Sequence, residues 1–253
     1  MSISIGGKIV TNGLAIHYDA LNKKSYPGSG TTWTDLTPYT NNGDLNSPTP
    51  VIIANGYATF IDTNNTTYAD IDSIGEINVN TEYATVDMWV KLKPTSTLSG
   101  VITGYLFGWR EYCIQVRYVD GIFTRFGFTT TVNDVYGLGD PELTSLNLLN
   151  NWKHYSFVMC DGGTFSIAKT NQKIYINGVL QESLTQTGTE NTNTRRFSFT
   201  STSNARFPGN TDANGNNFLL NMDAAIIKVY NRELSQAEVL QNFNAHKGRF
   251  NIY

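Results

Sequence analysis

Ala84-Thr85-Val86-Asp87-Met88-Trp89-Val90-Lys91-Leu92 carries the clearest fold signal in the chain. Val86, Met88, Val90 and Leu92 fall on one side of an extended backbone, and Asp87, Trp89 and Lys91 on the other. Side chains alternate across a strand with a period of two, so this stretch reads as a β-strand with unlike faces. Working outward, Leu14-Ala15-Ile16-His17-Tyr18 alternates in the same way. Further strands are expected at 57–61, 68–71, 101–109, 112–118, 124–130, 152–160, 173–176 and 224–230. Asn177-Gly178 follows one of them directly and leads into Val179-Leu180, a tight-turn signal that predicts a hairpin. Trp89 and Trp152 lie inside alternating strands and are expected to pack.

Composition agrees with many short strands. Of 253 residues, 40% are apolar and 15% charged, and the polar remainder is Thr, Asn, Ser and 22 Gly. Thr suits pleated strands, and Asn, Gly and Ser suit turns. Stretches 185–193 and 201–217 read as polar loops, the second as the most mobile segment. A chain of this length buries about 70–75% of its unfolded surface and needs no disulfide or metal to hold a core. Cys113 and Cys160 both sit in apolar runs, so two buried thiols are expected, with pairing across strands left open. Net charge is −3 and the cations are scattered, which argues against nucleic-acid binding. The N-terminal Met1-Ser2-Ile3-Ser4-Ile5-Gly6-Gly7 lacks the pattern of a signal peptide, and no apolar run approaches a membrane span.

One helix is well specified. Ser235 is placed as N-cap, with Glu238 at capping-box spacing and Leu234 and Val239 placed as a hydrophobic staple. Val239, Leu240 and Phe243 form an apolar stripe, and Gly248 reads as the residue after the end. The pattern predicts a helix over about 236–247. Short strands, Gly/Asn turns and a single terminal helix define a sandwich or barrel, read as one domain over 13–253 behind an N-terminal arm over 1–12.

Gly13-Leu14-Ala15-Ile16-His17-Tyr18-Asp19-Ala20 resembles the opening strand of laminin G-like, concanavalin A-like jelly-roll domains. Tyr26-Pro27-Gly28-Ser29-Gly30-Thr31-Thr32-Trp33-Thr34-Asp35-Leu36 is similar to a segment common in versions carried by bacteriophage virion proteins. Asn41-Asn42-Gly43-Asp44-Leu45 resembles the loop that comes next, though Pro38 and Tyr39 stand where Gly and Asn are usual. Met88-Trp89-Val90-Lys91, Trp152-Lys153-His154-Tyr155 and Ile174-Tyr175-Ile176-Asn177-Gly178 resemble later strands. The most specific match is Val229-Tyr230-Asn231-Arg232-Glu233-Leu234-Ser235, the last strand running into the capped helix. The resemblance spans about 13–250 and implies an all-β, two-sheet antiparallel β-sandwich (a jelly roll) with one short C-terminal helix. It also implies a non-catalytic virion protein, either capsid decoration or a tail fibre component, made in a host cytoplasm and contacting other virion proteins or copies of itself. A carbohydrate-binding adhesin recognising surface glycans is the alternative, and a glycanase a third reading.

Each chemistry makes its own demand. Glycoside hydrolysis needs two carboxylates across one bond. The family's Glu-x-Asp-x-x-Glu strand is absent, and the nearest approach, Asp70, Asp72 and Glu76, reads as a solvated loop. His17, His154 and His246 show no nucleophile-elbow motif beside them, so no catalytic residue is expected. Gly6-Gly7 and Gly137-Leu138-Gly139 read as turns rather than phosphate cradles. The resemblance places Asp19, Asn42 and Asp223 where related sandwiches hold a structural calcium; turn-capping hydrogen bonds are the other reading of those residues. Carbohydrate binding needs exposed aromatic platforms, for which Trp33, Tyr105, Trp109, Tyr136 and Phe207 are the candidates. Arg232 reads either as a partner contact or as a guanidinium bonding carbonyls or an acid at the strand–helix corner.

Overall fold

In a computed structural model of the chain, the stretch that decides the fold becomes the central strand of a sheet. The structure describes residues 7–45, 51–61, 67–72, 74–78, 80–93, 101–109, 112–120, 122–129, 134–139, 142–160, 171–185, 205–209 and 220–252. The first half contains β1 (Leu14–Asp19), β2 (Thr32–Trp33), β3 (Gly43–Asp44), β4 (Ile52–Ala54), β5 (Tyr57–Phe60), β6 (Ala69–Ile71), β7 (Tyr83–Leu92) and β8 (Val101–Trp109). The second contains β9 (Tyr112–Val119), β10 (Ile122–Thr129), β11 (Asp134–Leu138), β12 (Trp152–Cys160), β13 (Asn171–Ile176), β14 (Val179–Thr185), β15 (Ala205–Phe207) and β16 (Met222–Tyr230). Helix α1 (Glu142–Leu146) precedes β12, and α2 (Gln236–His246) runs into a 3-10 turn over Lys247–Phe250.

These strands form two antiparallel sheets. The first runs β14-β13-β12-β7-β16-β5-β4, with β1 paired to β16 beside β5. The second runs β11-β10-β9-β8-β15-β6-β3-β2. Val86, Met88, Val90 and Leu92 of β7 face the second sheet and meet Ile114, Val116, Phe126 and Phe128 in one apolar core. Phe126 packs edge-on against both Tyr155 and Phe157 of β12, each 5.2 Å away between ring centres. Such offset contacts let aromatic rings fill the layer between sheets while meeting edge to face.

The Asn177-Gly178 hairpin forms as expected, with φ of 52° and 79° at the two turn residues. The capping box on α2 also forms, and the staple residues Leu234 and Val239 are both buried. Three expectations need correction. Gly248 does not end the helix in a left-handed conformation; the chain tightens into the 3-10 turn, and Asn251 takes that conformation at φ 55°. The turn is held because Phe250 stacks on Trp89 and Arg249 pairs with Asp19. The terminal helix is also not alone, since α1 packs near β10. Finally, 205–207 is strand β15 inside a stretch read as loop; 186–204 and 210–219 lie outside the described residues.

Candidate functional site

The two outer faces of the sandwich differ. On the first sheet, register aligns His17, Lys228, Asp87 and Ser156 in one cross-strand row, and Asp19, Ile226, Trp89 and His154 in the next. The C-terminal segment covers these rows. Phe243 and Phe250 stack on Trp89 with ring centres 5.7 Å and 4.2 Å away. Asn242 donates to the Tyr230 hydroxyl at 3.0 Å and accepts from the Val10 N–H at 2.9 Å. Beneath this cover Asp87, Lys228 and His154 are fully buried, with Lys228 Nζ on one Asp87 oxygen and His154 Nε2 2.9 Å from the other. Burial alone would push the Asp87 carboxyl up, but His154 and Lys228 outweigh it and hold the group well below the usual carboxylate range. A network enclosed this way is a structural device with no access for a ligand.

On the outer face of the second sheet Asp44 and Arg125 are exposed and Asp70 is half-buried, whereas Gln115 and Tyr105 are only 1% and 9% exposed. The core takes Ile114, Val116 and Tyr118 from β9, so Gln115 and Arg117 point the other way. Register extends that face across the sheet. Thr32, Asp44, Asp70, Arg206 and Gly108 form one row. Tyr105, Gln115 and Gly127 form a second, and Thr103, Arg117 and Arg125 a third. At its centre Arg206 grips both oxygens of Asp70, Nε to Oδ1 at 2.7 Å and an amino nitrogen to Oδ2 at 3.3 Å. Its guanidinium lies 3.8 Å over the Tyr68 ring. A two-point Arg–carboxylate pair stacked on an aromatic ring is a rigid, oriented polar group. Gly108, next to Arg206 in the row, contributes no side chain.

Asp44 stands directly opposite Asp70, a pair of carboxylates that spacing along the sequence does not reveal. Asp72 is exposed beyond the end of β6, and Glu76 accepts a hydrogen bond from Asn41 at 2.7 Å. Asp70 thus belongs to a strand, and its expected companions are not beside it. Both Asp70 oxygens are engaged by Arg206, an arrangement suited to anchoring rather than to attack on a glycosidic carbon.

The aromatic candidates separate. Trp33 and Phe207 are fully buried and offer no open ring: Trp33 stacks on Tyr18 at 5.3 Å, and Phe207 meets Phe60 edge-on at 5.4 Å. Both are corrected from platform to core, because alternation turns their side chains inward. Tyr105 lies outside the core cluster, in the row with Gln115, although only 9% exposed. Trp109 and Tyr136 lie on β8 and β11, and their side chains fall outside the described residues.

The calcium triplet is not assembled. Asp19 Oδ1 accepts from Arg249 at 2.7 Å and from the Leu21 N–H at 2.9 Å. Asn42 Oδ1 accepts the Asp35 N–H at 2.9 Å. Asp223 meets the ammonium of Lys91 at 2.9 Å and that of Lys93. Cationic side chains hold both carboxylates, so the donor set does not fit a calcium ion. Among the described residues no three His, Cys, Asp or Glu side chains group as a metal site. The residue missed in this region is Asp35, which is 5% exposed and braces its loop by accepting N–H bonds from His17, Thr37 and Asn41. Cys160 is buried and outside any disulfide, and the Cys113 side chain lies outside the described residues. Arg232 takes the structural role: it bonds both Glu238 oxygens and the carbonyls of Asn12 and Glu233.

Comparison with known proteins agrees with this architecture. The model of the concanavalin A-like lectin/glucanases superfamily, in its laminin G form, matches residues 62–240, and the chain belongs to that family. Among solved structures, the binding domain of Paraclostridial Mosquitocidal Protein 1 is similar at TM-score 0.62 and 14% identity, over 92% of this chain and 52% of that one. The receptor binding domain of a botulinum neurotoxin C/D mosaic serotype is similar at 0.58 and 13%, over 91% and 51%. Trypanosoma rangeli sialidase is similar at 0.61 and 13%, over 96% and 36%. The chain thus spans about half of the toxin domains and about a third of the sialidase, and identities this low establish a shared fold alone. No curated protein matches the chain in sequence. None of these similarities bears on a virion.

Proposed function

We propose that the chain is a non-catalytic carbohydrate-binding domain whose ligand lies on the open face of the β11-to-β2 sheet. The observation that carries this reading is the Asp70–Arg206 pair stacked on Tyr68, in line with Asp44 and Gly108. Membership of a lectin and glucanase superfamily supports it. So do similar folds described as binding domains, and a sialidase solved in complex with sialic acid.

A glycan array probed with the wild-type chain and with Arg206→Ala and Asp70→Ala tests this directly. Binding is expected for the wild type, with a loss of tenfold or more in each variant. Binding that survives both changes places the ligand elsewhere, and no binding to any glycan overturns the reading. Repeating the array in EDTA tests for a calcium requirement; signal is expected to persist. Release of reducing ends from polysaccharides would establish a glycanase instead.

The place of action is a separate reading. Residues 26–36 motivate attachment to a bacteriophage particle, on a capsid or in a tail fibre. Mass spectrometry of purified particles decides it, and absence of the chain from mature particles ends it. A glycan-binding face and a particle-bound location are compatible.

A further inference from the structure

All three histidines of the chain gather on the covered face of the first sheet: His17 on β1, His154 on β12 and His246 at the end of α2. Each keeps one ring nitrogen buried without a hydrogen-bond partner: His17 Nε2, His154 Nδ1 and His246 Nε2. His246 is the one carried by the cover itself. The groups that face it are Lys228 and Asp87 on the sheet, and Asp19 and His17 on β1. His154 joins through Asp87, and Asp35 lies against His17. On the cover, Lys247 sits over the Phe243 ring and Arg249 reaches Asp19.

Charge in this layer is already matched. Asp87 is held by Lys228 and His154, Asp19 by Arg249, and Asp35 by N–H donors of its own loop and of His17. A proton on His246 adds a positive charge beside Lys228, while Asp87 and Asp19 are already bonded to Lys228 and Arg249. A buried charge without a partner is strongly disfavoured. The cover holds to the sheet through two small apolar clusters and a set of polar contacts, whereas the two sheets pack on each other through one large apolar core.

We propose that α2 and the 3-10 turn, with the strap of residues 8–12 bonded to them, form an acid-released latch: protonation of His246 lifts this segment from the first sheet while the two-sheet body stays folded. Burial, and then Lys228, lower the His246 pKa from 6.5 to about 3 in the closed state. The open state takes up the proton more readily, so the closed state is fully favoured above about pH 6.5 and loses ground as pH falls toward 3. At pH 5.0 this shifts the closing equilibrium by about thirtyfold for the one histidine.

Hydrogen exchange read by mass spectrometry on the full chain, at pH 7.5 and pH 5.0 and corrected for intrinsic rates, tests the latch. Peptides covering 236–250 and 8–12 are expected to lose protection at pH 5.0 by at least tenfold, while those from β7, β9 and β10 keep theirs. His246→Asn, which cannot take the charge, is expected to lose clearly less protection over 236–250 than the wild type, the remainder belonging to His17, whose pKa burial and then Lys228 lower to about 4. Unchanged protection in the wild type, equal loss in the variant, or simultaneous loss across the sheets overturns the proposal. Should that variant misfold, proton NMR of the three imidazoles in the wild type gives the same decision. A His246 ring titrating well below 6.5 together with shifts across α2 supports the latch; titration near 6.5 with α2 unmoved overturns it.

Discussion

Lys228 is the cation with the least access to water among the described residues, and Asp87 is its anchor. Removing one member of such a pair leaves the other charge buried. Lys228→Met is therefore expected to cost about 3–5 kcal/mol in urea unfolding at pH 7.5. Combining it with Asp87→Leu is expected to recover part of that loss, since an apolar pair removes the unmatched charge. Because the folded Asp87 carboxyl sits below its usual value of 3.8, its contribution is present above that pH and declines as pH falls further. Trp33 makes the contrasting case. It looks like a platform from its residue type, yet it is fully buried against Tyr18. Trp33→Ala is expected to destabilise by about 3–5 kcal/mol in the same assay.

Helix α2 is fixed at its start by the Ser235 and Glu238 box, with Arg232 reaching both Glu238 oxygens. Ser235→Ala is expected to lower stability by about 1 kcal/mol in thermal or urea unfolding. The hydrogen bond from Arg232, against the opposing effect of burial, brings the Glu238 pKa from 4.5 down to about 2. Its contribution is full above pH 4.5 and lost as pH falls toward 2, so Glu238→Gln is expected to flatten the acid limb of a stability–pH curve in that window. At the β13–β14 hairpin, Gly178 combines φ of 79° with a close approach to α2. A Cβ there meets Leu240 Cδ1 at 2.9 Å and Leu240 Cα at 3.4 Å. Gly178→Ala is expected to cost about 1–2 kcal/mol by urea unfolding, from the left-handed backbone alone, with the contact adding to it.

At the scale of the whole molecule, the sandwich divides its labour between faces. One outer face is sealed by α2 over a buried charge network, and the other presents Asp44, Asp70, Arg206 and Gly108 in register. Changes on the open face are therefore expected to separate binding from stability. Arg206→Ala should lower array signal at least tenfold while costing less stability than a change in the core. Phe126→Ala, between the sheets, should cost about 3–5 kcal/mol in urea unfolding. A similar stability loss from both variants, with binding lost in neither, would contradict this division.

The period-two run at 84–92 specified its own strand and the face that meets the core, because alternation is a local property of an extended backbone. The Asn177-Gly178 turn and the capped helix were legible for the same reason: each depends on residues within a few positions of one another. The row Asp44, Asp70, Arg206 and Gly108 was not, since its members are scattered along the chain and Arg206 lies in a stretch that reads as loop. Nor was the pairing of Asp19 with Arg249 or of Asp223 with Lys91 and Lys93, which replaced the expected calcium set. The sequence by itself determined the long alternating strands, their inward faces and the helix cap. Only the tertiary structure decided which outer face is sealed, which aromatics are hidden and which charges meet, because strand register and the docking of α2 join residues that no local pattern links.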